Sequence, residues 1–243
     1  MDATRKLMAT LGLCALCGAA GAAGTTVAID VGHSLQAPGT TSARGRAEFE
    51  FNRELAQAIG RAVEAEGFRA QLIGADGMQN GLGGRPARAL GASFFLSVHH
   101  DSVQPQFLQV WVHDGAQRLY SDRHAGFSLF VSRRNASLPA SLRCASRLGE
   151  ELRWAGFRPS LYHAEPIAGE MKPFADRANG VHYYDNRAVL KGAASPAVLL
   201  EAGVIVNRDE EPVLASSTAQ ERMASAVAAG LSRCLRSPGP ASR

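Results

Sequence analysis

Apolar positions along the chain follow two rhythms. Short, nearly unbroken runs occupy residues 27–31, 94–98 and 196–200, the pattern of strands covered on both faces. Between them lie segments with the 3.6-residue period of amphipathic helices. In the first, expected over residues 48–66, Phe51, Leu55, Ile59 and Val63 fall four apart on one face and Gly67 supplies the stop. Residues 69–73 give a further strand, so the chain opens β-α-β. A helix from about Arg85, with Pro86 at a tolerated early position, leads into the strand at 94–98. Residues 107–113, expected nearer an edge, and 127–132 read as additional strands. Residues 138–154 contain a helix facing inward through Leu142, Cys144, Ala145, Leu148 and Leu152. A strand resumes at 181–184, a short turn or helix covers 188–191, and a last helix over 218–235 closes the domain through Met223, Val227 and Leu231. Residues 156–179 hold no steady period, a long connection of the kind that is usually functional or mobile. This order predicts an α/β fold: one domain, a mostly parallel mixed sheet, and helices on both faces.

At 243 residues the chain is long enough to bury a core without staples. Its start changes the picture. Arg5 and Lys6 precede an apolar run over 7–20, followed by the small residues Ala20, Gly21 and Ala22, the make-up of a secretory signal peptide over residues 1–24. The run is too short and too rich in Gly and Ala for a membrane span. The catalytic domain is then expected over 25–236, with a flexible tail at 237–243. The mature protein is expected to be exported, periplasmic or extracellular, with no membrane span. The net charge of +4 comes with no dense Lys/Arg run and no aromatic-basic alternation, which excludes a nucleic-acid partner. Loss of the leader removes Cys14 and Cys17. Cys144 and Cys234 remain, and an oxidising compartment permits them to pair; two separate buried thiols fit the sequence equally.

The candidate chemistry lies at strand ends. Three of the most apolar strands run out into His33, His99 and Glu201, and Glu48 opens the helix after the first. In open α/β sheets, ligands bind beyond the carboxyl ends of the strands. Two imidazoles and a carboxylate, with one position left for water, describe a catalytic zinc site, and a fourth basic group is what a hydrolase then needs. Residue chemistry leaves two choices open. Glu50 shares the first helical turn with Glu48, where either carboxylate could simply favour the helix dipole. His100 stands beside His99. No Gly-x-Ser-x-Gly elbow and no phosphate-binding glycine loop compete with this reading, and neither mature cysteine lies by a candidate base.

At these residues the chain resembles the zinc-dependent N-acetylmuramoyl-L-alanine amidases, bacterial cell-wall hydrolases. The likeness is carried by Ile29-Asp30-Val31-Gly32-His33, by Glu48-Phe49-Glu50-Phe51-Asn52, and by Ser97-Val98-His99-His100-Asp101. It closes with Pro196 through Gly203 and the later Asn207. These motifs stand in family order and span residues 27–231. The resemblance implies Zn2+ held by His33, Glu48 and His99, with Glu201 as the catalytic carboxylate. It selects Glu48 because the ligand stands four before Asn52, and His99 because it stands two after Ser97. The implied reaction is hydrolysis of the amide between N-acetylmuramic acid and L-alanine of peptidoglycan.

Some details depart from the family pattern or remain candidates. His100 occupies a position usually small and Ser34 replaces the customary Gly, so an extra imidazole could alter substrate fit. Asp30 and Asp101 are candidates for holding the ligands. Arg85 matches a frequent family arginine before the ligand strand. Some relatives are held inactive by an inserted segment until a partner protein displaces it. No long helix of that kind is evident here, so residues 156–179 are expected to wall the cleft, with Glu165 or Glu170 turned toward metal or substrate and an activator protein as a possible partner. His113, His124, His163 and His182 are assigned to surface or core. Two other readings share parts of this pattern: a zinc carboxypeptidase or related amidohydrolase on peptides, and a non-catalytic wall-binding module. The latter would be expected to lack a ligand or Glu201, and all four are present.

Overall fold

The computed structural model describes residues 24–79, 81 and 83–236. The expected leader, but for its last residue, and the tail at 237–243 lie outside the described residues. Each unbroken apolar run forms a strand: β1 (Thr26–Val31), β3 (Phe94–Asp101) and β9 (Ala197–Val204), with β2 (Arg69–Ile73) at one edge. These four pair in parallel in the order β2-β1-β3-β9. Beyond β9 the sheet turns mixed. β6 (Ser128–Val131) joins β9 antiparallel, β8 (Val181–Tyr183) joins β6 in parallel, and β7 (Phe174–Asp176) closes the edge antiparallel to β8.

Side chains alternate across a strand, so each central strand feeds two cores. Ile29, Leu96, Val98 and Leu200 pack toward α1 (Glu48–Ala65), α3 (Leu138–Trp154) and α6 (Ser217–Arg236). Ala28, Phe95, Phe130 and Leu199 pack on the opposite face, toward α2 (Gly84–Arg88) and α4 (Ala188–Gly192). The stripe Phe51, Leu55, Ile59 and Val63 of α1 is fully buried, as its four-residue spacing predicts. Burying each such side chain stabilises the fold by about 1.5–3 kcal/mol. Cys144 of α3 and Cys234 of α6 form a disulfide with Cα atoms 5.2 Å apart, which settles the two thiol readings in favour of pairing.

Two expectations need correction. The strand expected near an edge at 107–113 is β4 (Gln109–His113), and it stands outside the main sheet. It pairs antiparallel with β5 (Ala116–Tyr120), a strand the apolar pattern did not suggest, across Asp114 and Gly115, both at positive φ. Asp-Gly is the two-residue hairpin signal, and it outweighs the weak alternation on either side. Residues 156–179 are also not featureless. They contain a 3-10 turn at Tyr162–Ala164 and the strand β7, and they include a parallel bridge between Phe127 and Pro159. A short helix, α5 (Glu210–Ala215), links β9 to α6.

Candidate metal centre and cleft

Strand register assembles the site. Asp30 pairs with Ser97, and His99 pairs with Glu201, across the parallel strands β1, β3 and β9. Counting in twos from Phe95, the residues Ser97, His99 and Asp101 face the α2/α4 side, together with Asp30 and Glu201. His100 falls on the other side, against Phe51 of α1. The period of a strand thus separates the two adjacent imidazoles.

Ligand-capable atoms of His33, Glu48 and His99 all lie within 4.8 Å of one another, close enough to hold one metal ion. Glu48 opens α1 and offers one oxygen to each ring: Oε2 lies 3.1 Å from His33 Nε2, and Oε1 lies 3.1 Å from His99 Nδ1. Burial alone would raise the proton affinity of Glu48, but the two imidazoles outweigh it and hold the carboxyl well below the usual carboxylate range. The space around the donors is kept by glycines. A Cβ on Gly32 would sit 2.4 Å from His99 Cε1, and one on Gly39 would sit 2.4 Å from Glu48 Oε2. This donor set and this cradle fit a divalent metal with an open position.

A surrounding layer fixes the donors. Asn52, one turn after Glu48, donates from Nδ2 to Glu48 Oε1 at 3.1 Å and to the Gly32 carbonyl at 3.2 Å. Its Oδ1 must then accept, so His100, at 2.8 Å, donates from Nδ1. His100 is buried, and burial pushes its pKa down to about 3, so it stays neutral. It steadies Glu48 through Asn52 and does not enter the cleft. Arg85 is engaged at both terminal nitrogens: it binds Asp30 Oδ1 at 2.7 Å, the Gln79 carbonyl at 2.8 Å, and the carbonyls of Val31 and His33. Asp30 also accepts from Ser97 Oγ at 2.7 Å. The Arg85 bond to the His33 carbonyl holds a backbone at φ 70, a conformation that costs a non-glycine residue free energy.

Glu201 lies beside this cluster on β9. It is buried, and its Oε2 has no hydrogen-bond partner among the described residues. Burial first, then the negative charges of Asp101 and Glu48, raise its pKa well above the ordinary carboxyl value. Two further residues complete the surroundings: Arg187, which the sequence did not single out, and His163, which was assigned to surface or core and stands here beside Asp101. Arg187 Nη2 approaches Glu201 Oε1 at 3.9 Å. His163 sits between Asp101 Oδ2 (2.7 Å from Nε2) and Glu170 Oε2 (2.8 Å from Nδ1). His163 and Asp101 are thus in close ionic contact.

The expected cleft-lining carboxylates have other partners. Glu170 is taken up by His163, by Lys172 Nζ and by Gln104 Nε2 at 2.8 Å. Glu165 lies near Arg123 (3.5 Å) and His124 (3.6 Å). Neither lines the cleft of about 380 Å3 that opens beside His33 and His99. Glu50 faces Arg46 at 3.0 Å and not the donor cluster. Of the partners of His163, Glu170 lies seven residues on in the local sequence, whereas Asp101 is brought to it only by the fold.

Comparison with known proteins bears on the fold and the family. No curated protein matches the sequence. Among solved structures, Ami1 of Mycobacterium smegmatis, an N-acetylmuramyl-L-alanine amidase, superposes with a TM-score of 0.69 at 22% identity, covering 88% of this chain and 97% of that one. An N-acetylmuramoyl-L-alanine amidase of Clostridium difficile 630 gives a TM-score of 0.70 at 18% identity, covering 90% and 100%. The CwlD amidase of Clostridioides difficile, solved in complex with the GerS lipoprotein, gives 0.63 at 18%, covering 87% and 98%. At these identities the likeness establishes the fold. The model of the N-acetylmuramoyl-L-alanine amidase family matches residues 27–233, and the chain belongs to that family.

Proposed function

We propose that this protein is an exported, zinc-dependent amidase that cleaves the bond between the lactyl group of N-acetylmuramic acid and L-alanine of the peptidoglycan stem. The observation that carries the reading is the convergence of His33, Glu48 and His99 beside a buried carboxylate, Glu201, with an unpartnered oxygen. Two imidazoles and one carboxylate suit Zn2+, and the ion, when bound, would lower the pKa of a water and polarise a carbonyl. Glu201 takes a proton from the attacking water at Oε2 and returns it to the nitrogen of the leaving L-alanine. Burial tunes such a base upward toward neutral pH, where proton transfer in both directions is efficient. Asn52 with His100, and Arg85 with Asp30, hold the donors in place so that little reorganisation accompanies the reaction.

The signal-peptide pattern at the start of the sequence supports action outside the cytoplasm, where peptidoglycan lies. Among the described residues no helix is long and apolar enough to cross a membrane. A protein partner that engages residues 156–179 belongs to the same proposal, supported by the relative solved with a lipoprotein.

Digestion of purified muropeptides followed by mass spectrometry tests the reaction, with free stem peptide beginning at L-alanine as the expected product. Glu201→Gln should retain one zinc per chain while turnover falls by about 10²–10⁴. Cleavage at another bond, or a Glu201→Gln enzyme within about threefold of wild type, is incompatible with this assignment.

A further inference from the structure

The cleft beside the metal donors has two arginines in its wall, Arg85 and Arg187. Both terminal nitrogens of Arg85 are taken by Asp30 and three carbonyls. Among the described residues, those of Arg187 are not. It stands immediately before α4, its guanidinium lies over the Tyr184 ring at 4.8 Å, and Glu201 at 3.9 Å is beyond hydrogen-bond distance. Its Nε is buried, and no hydrogen-bond acceptor for it is found among the described residues. The side chain as a whole is 43% exposed at the wall of the cleft, so a ligand can bring the acceptor that the protein does not supply.

The chemistry of the substrate says which acceptor. The lactyl carboxyl of muramic acid is consumed in the amide that is cut, and the hydroxyls and acetamides of the glycan are neutral. The carboxylates near the scissile bond therefore lie on the peptide side. A planar carboxylate accepts two parallel N–H bonds from a guanidinium fork, and stacking on Tyr184 holds that fork in one orientation. We propose that Arg187 binds the free carboxylate of the stem peptide nearest the scissile amide, and so selects stems that are not amidated there. The proposal rests on the amidase reading above and assigns the peptide side of the substrate to the Arg187 end of the cleft. Amidation removes the charge and turns an NH2 donor toward a fork that only donates.

Two muramoyl peptides of one sequence test this, with that carboxyl free in the first and amidated in the second. Wild-type enzyme should favour the free acid by about tenfold or more in kcat/KM, chiefly through KM. Arg187→Gln should bring the ratio to about one, and Arg187→Lys should keep part of the preference, because a point charge remains without the fork. Equal kcat/KM on both peptides for wild type would overturn the assignment. So would Arg187→Gln slowing both peptides alike, which would make Arg187 a partner of Glu201 alone. Calorimetric binding of both peptides to the Glu201→Gln protein must show the same preference and its loss in the double variant. That measurement decides the Arg187 assignment even if no peptide is cleaved and the amidase reading fails.

Discussion

Gly32→Ala is the sharpest probe of how closely the backbone is fitted around the proposed metal centre. Gly32 follows β1, its N–H bonds the Val98 carbonyl at 2.9 Å, and its φ is not in the left-handed region, so alanine brings no backbone strain. The added Cβ would lie 2.4 Å from His99 Cε1 and 2.6 Å from both ring nitrogens. Ordinary carbon contacts begin near ~3.4 Å, so the imidazole must retreat by about 1 Å. Metal–ligand distances tolerate only about 0.2 Å. Loss of groups that merely orient a ligand costs about 10–100-fold in affinity, and displacing the ligand itself should cost at least the upper figure, roughly 3 kcal/mol. The His99 side chain is 15% exposed, so the ring has somewhere to go, and the metal-free protein should lose only about 1–2 kcal/mol. Zinc affinity by competition with a chromophoric chelator, beside urea denaturation in EDTA, separates the two effects. A Gly32→Ala protein that binds zinc within about threefold of wild type would refute the placement of His99 as a ligand.

Three further outcomes follow from other parts of the molecule. Gly60→Ala in α1 meets only ordinary contacts, with Ala70 Cβ at 3.8 Å, so thermal denaturation should show a gain of about 0.5–1 kcal/mol with zinc content unchanged; a loss would mean that the α1/β2 contact is tighter than this. The disulfide closes a separation of 90 residues, and the double variant Cys144→Ala/Cys234→Ala should lose about 3–4 kcal/mol, seen as a fall of roughly 10 °C in Tm. An unchanged Tm would show that the crosslink adds nothing to the α3–α6 contact. Burial would lower the pKa of His163, but Asp101 and then Glu170 outweigh it and lift it to about 9. Its contribution is therefore full below the unfolded value of about 6.5, disappears as pH rises through about 9, and amounts to something on the order of 3 kcal/mol. Urea denaturation in EDTA at pH 6 and pH 10 should show that loss in wild type and not in His163→Asn; parallel curves would mean His163 is not held as a cation.

What could be read in the sequence was local. The runs at 27–31, 94–98 and 196–200 announced buried strands because a strand covered on both faces is apolar at every position. The α1 stripe announced its own inward face through a period of four. The donors at strand ends followed from the same reading, since the carboxyl ends of parallel strands are where such sheets hold ligands.

The tertiary structure decided the matters that depend on register and on distant partners. Adjacent imidazoles at His99 and His100 are equivalent in composition, and only the pairing of β3 with β1 and β9 sends one to His33 and Glu48 and the other to Asn52. Residues 156–179 lacked a period because they form local turns and short elements, tied partly to one another and partly to distant residues. Glu170 finds Gln104, and His163 finds Asp101, across more than sixty intervening residues. Arg187 acquires its meaning from Tyr184 and from Glu201, which it meets only after β9 has joined the sheet. A hydrophobic period is written within a few residues because one element's own geometry sets it. The neighbours of a buried charge are completed by the folding of the whole chain, and a window of sequence contains at most some of them.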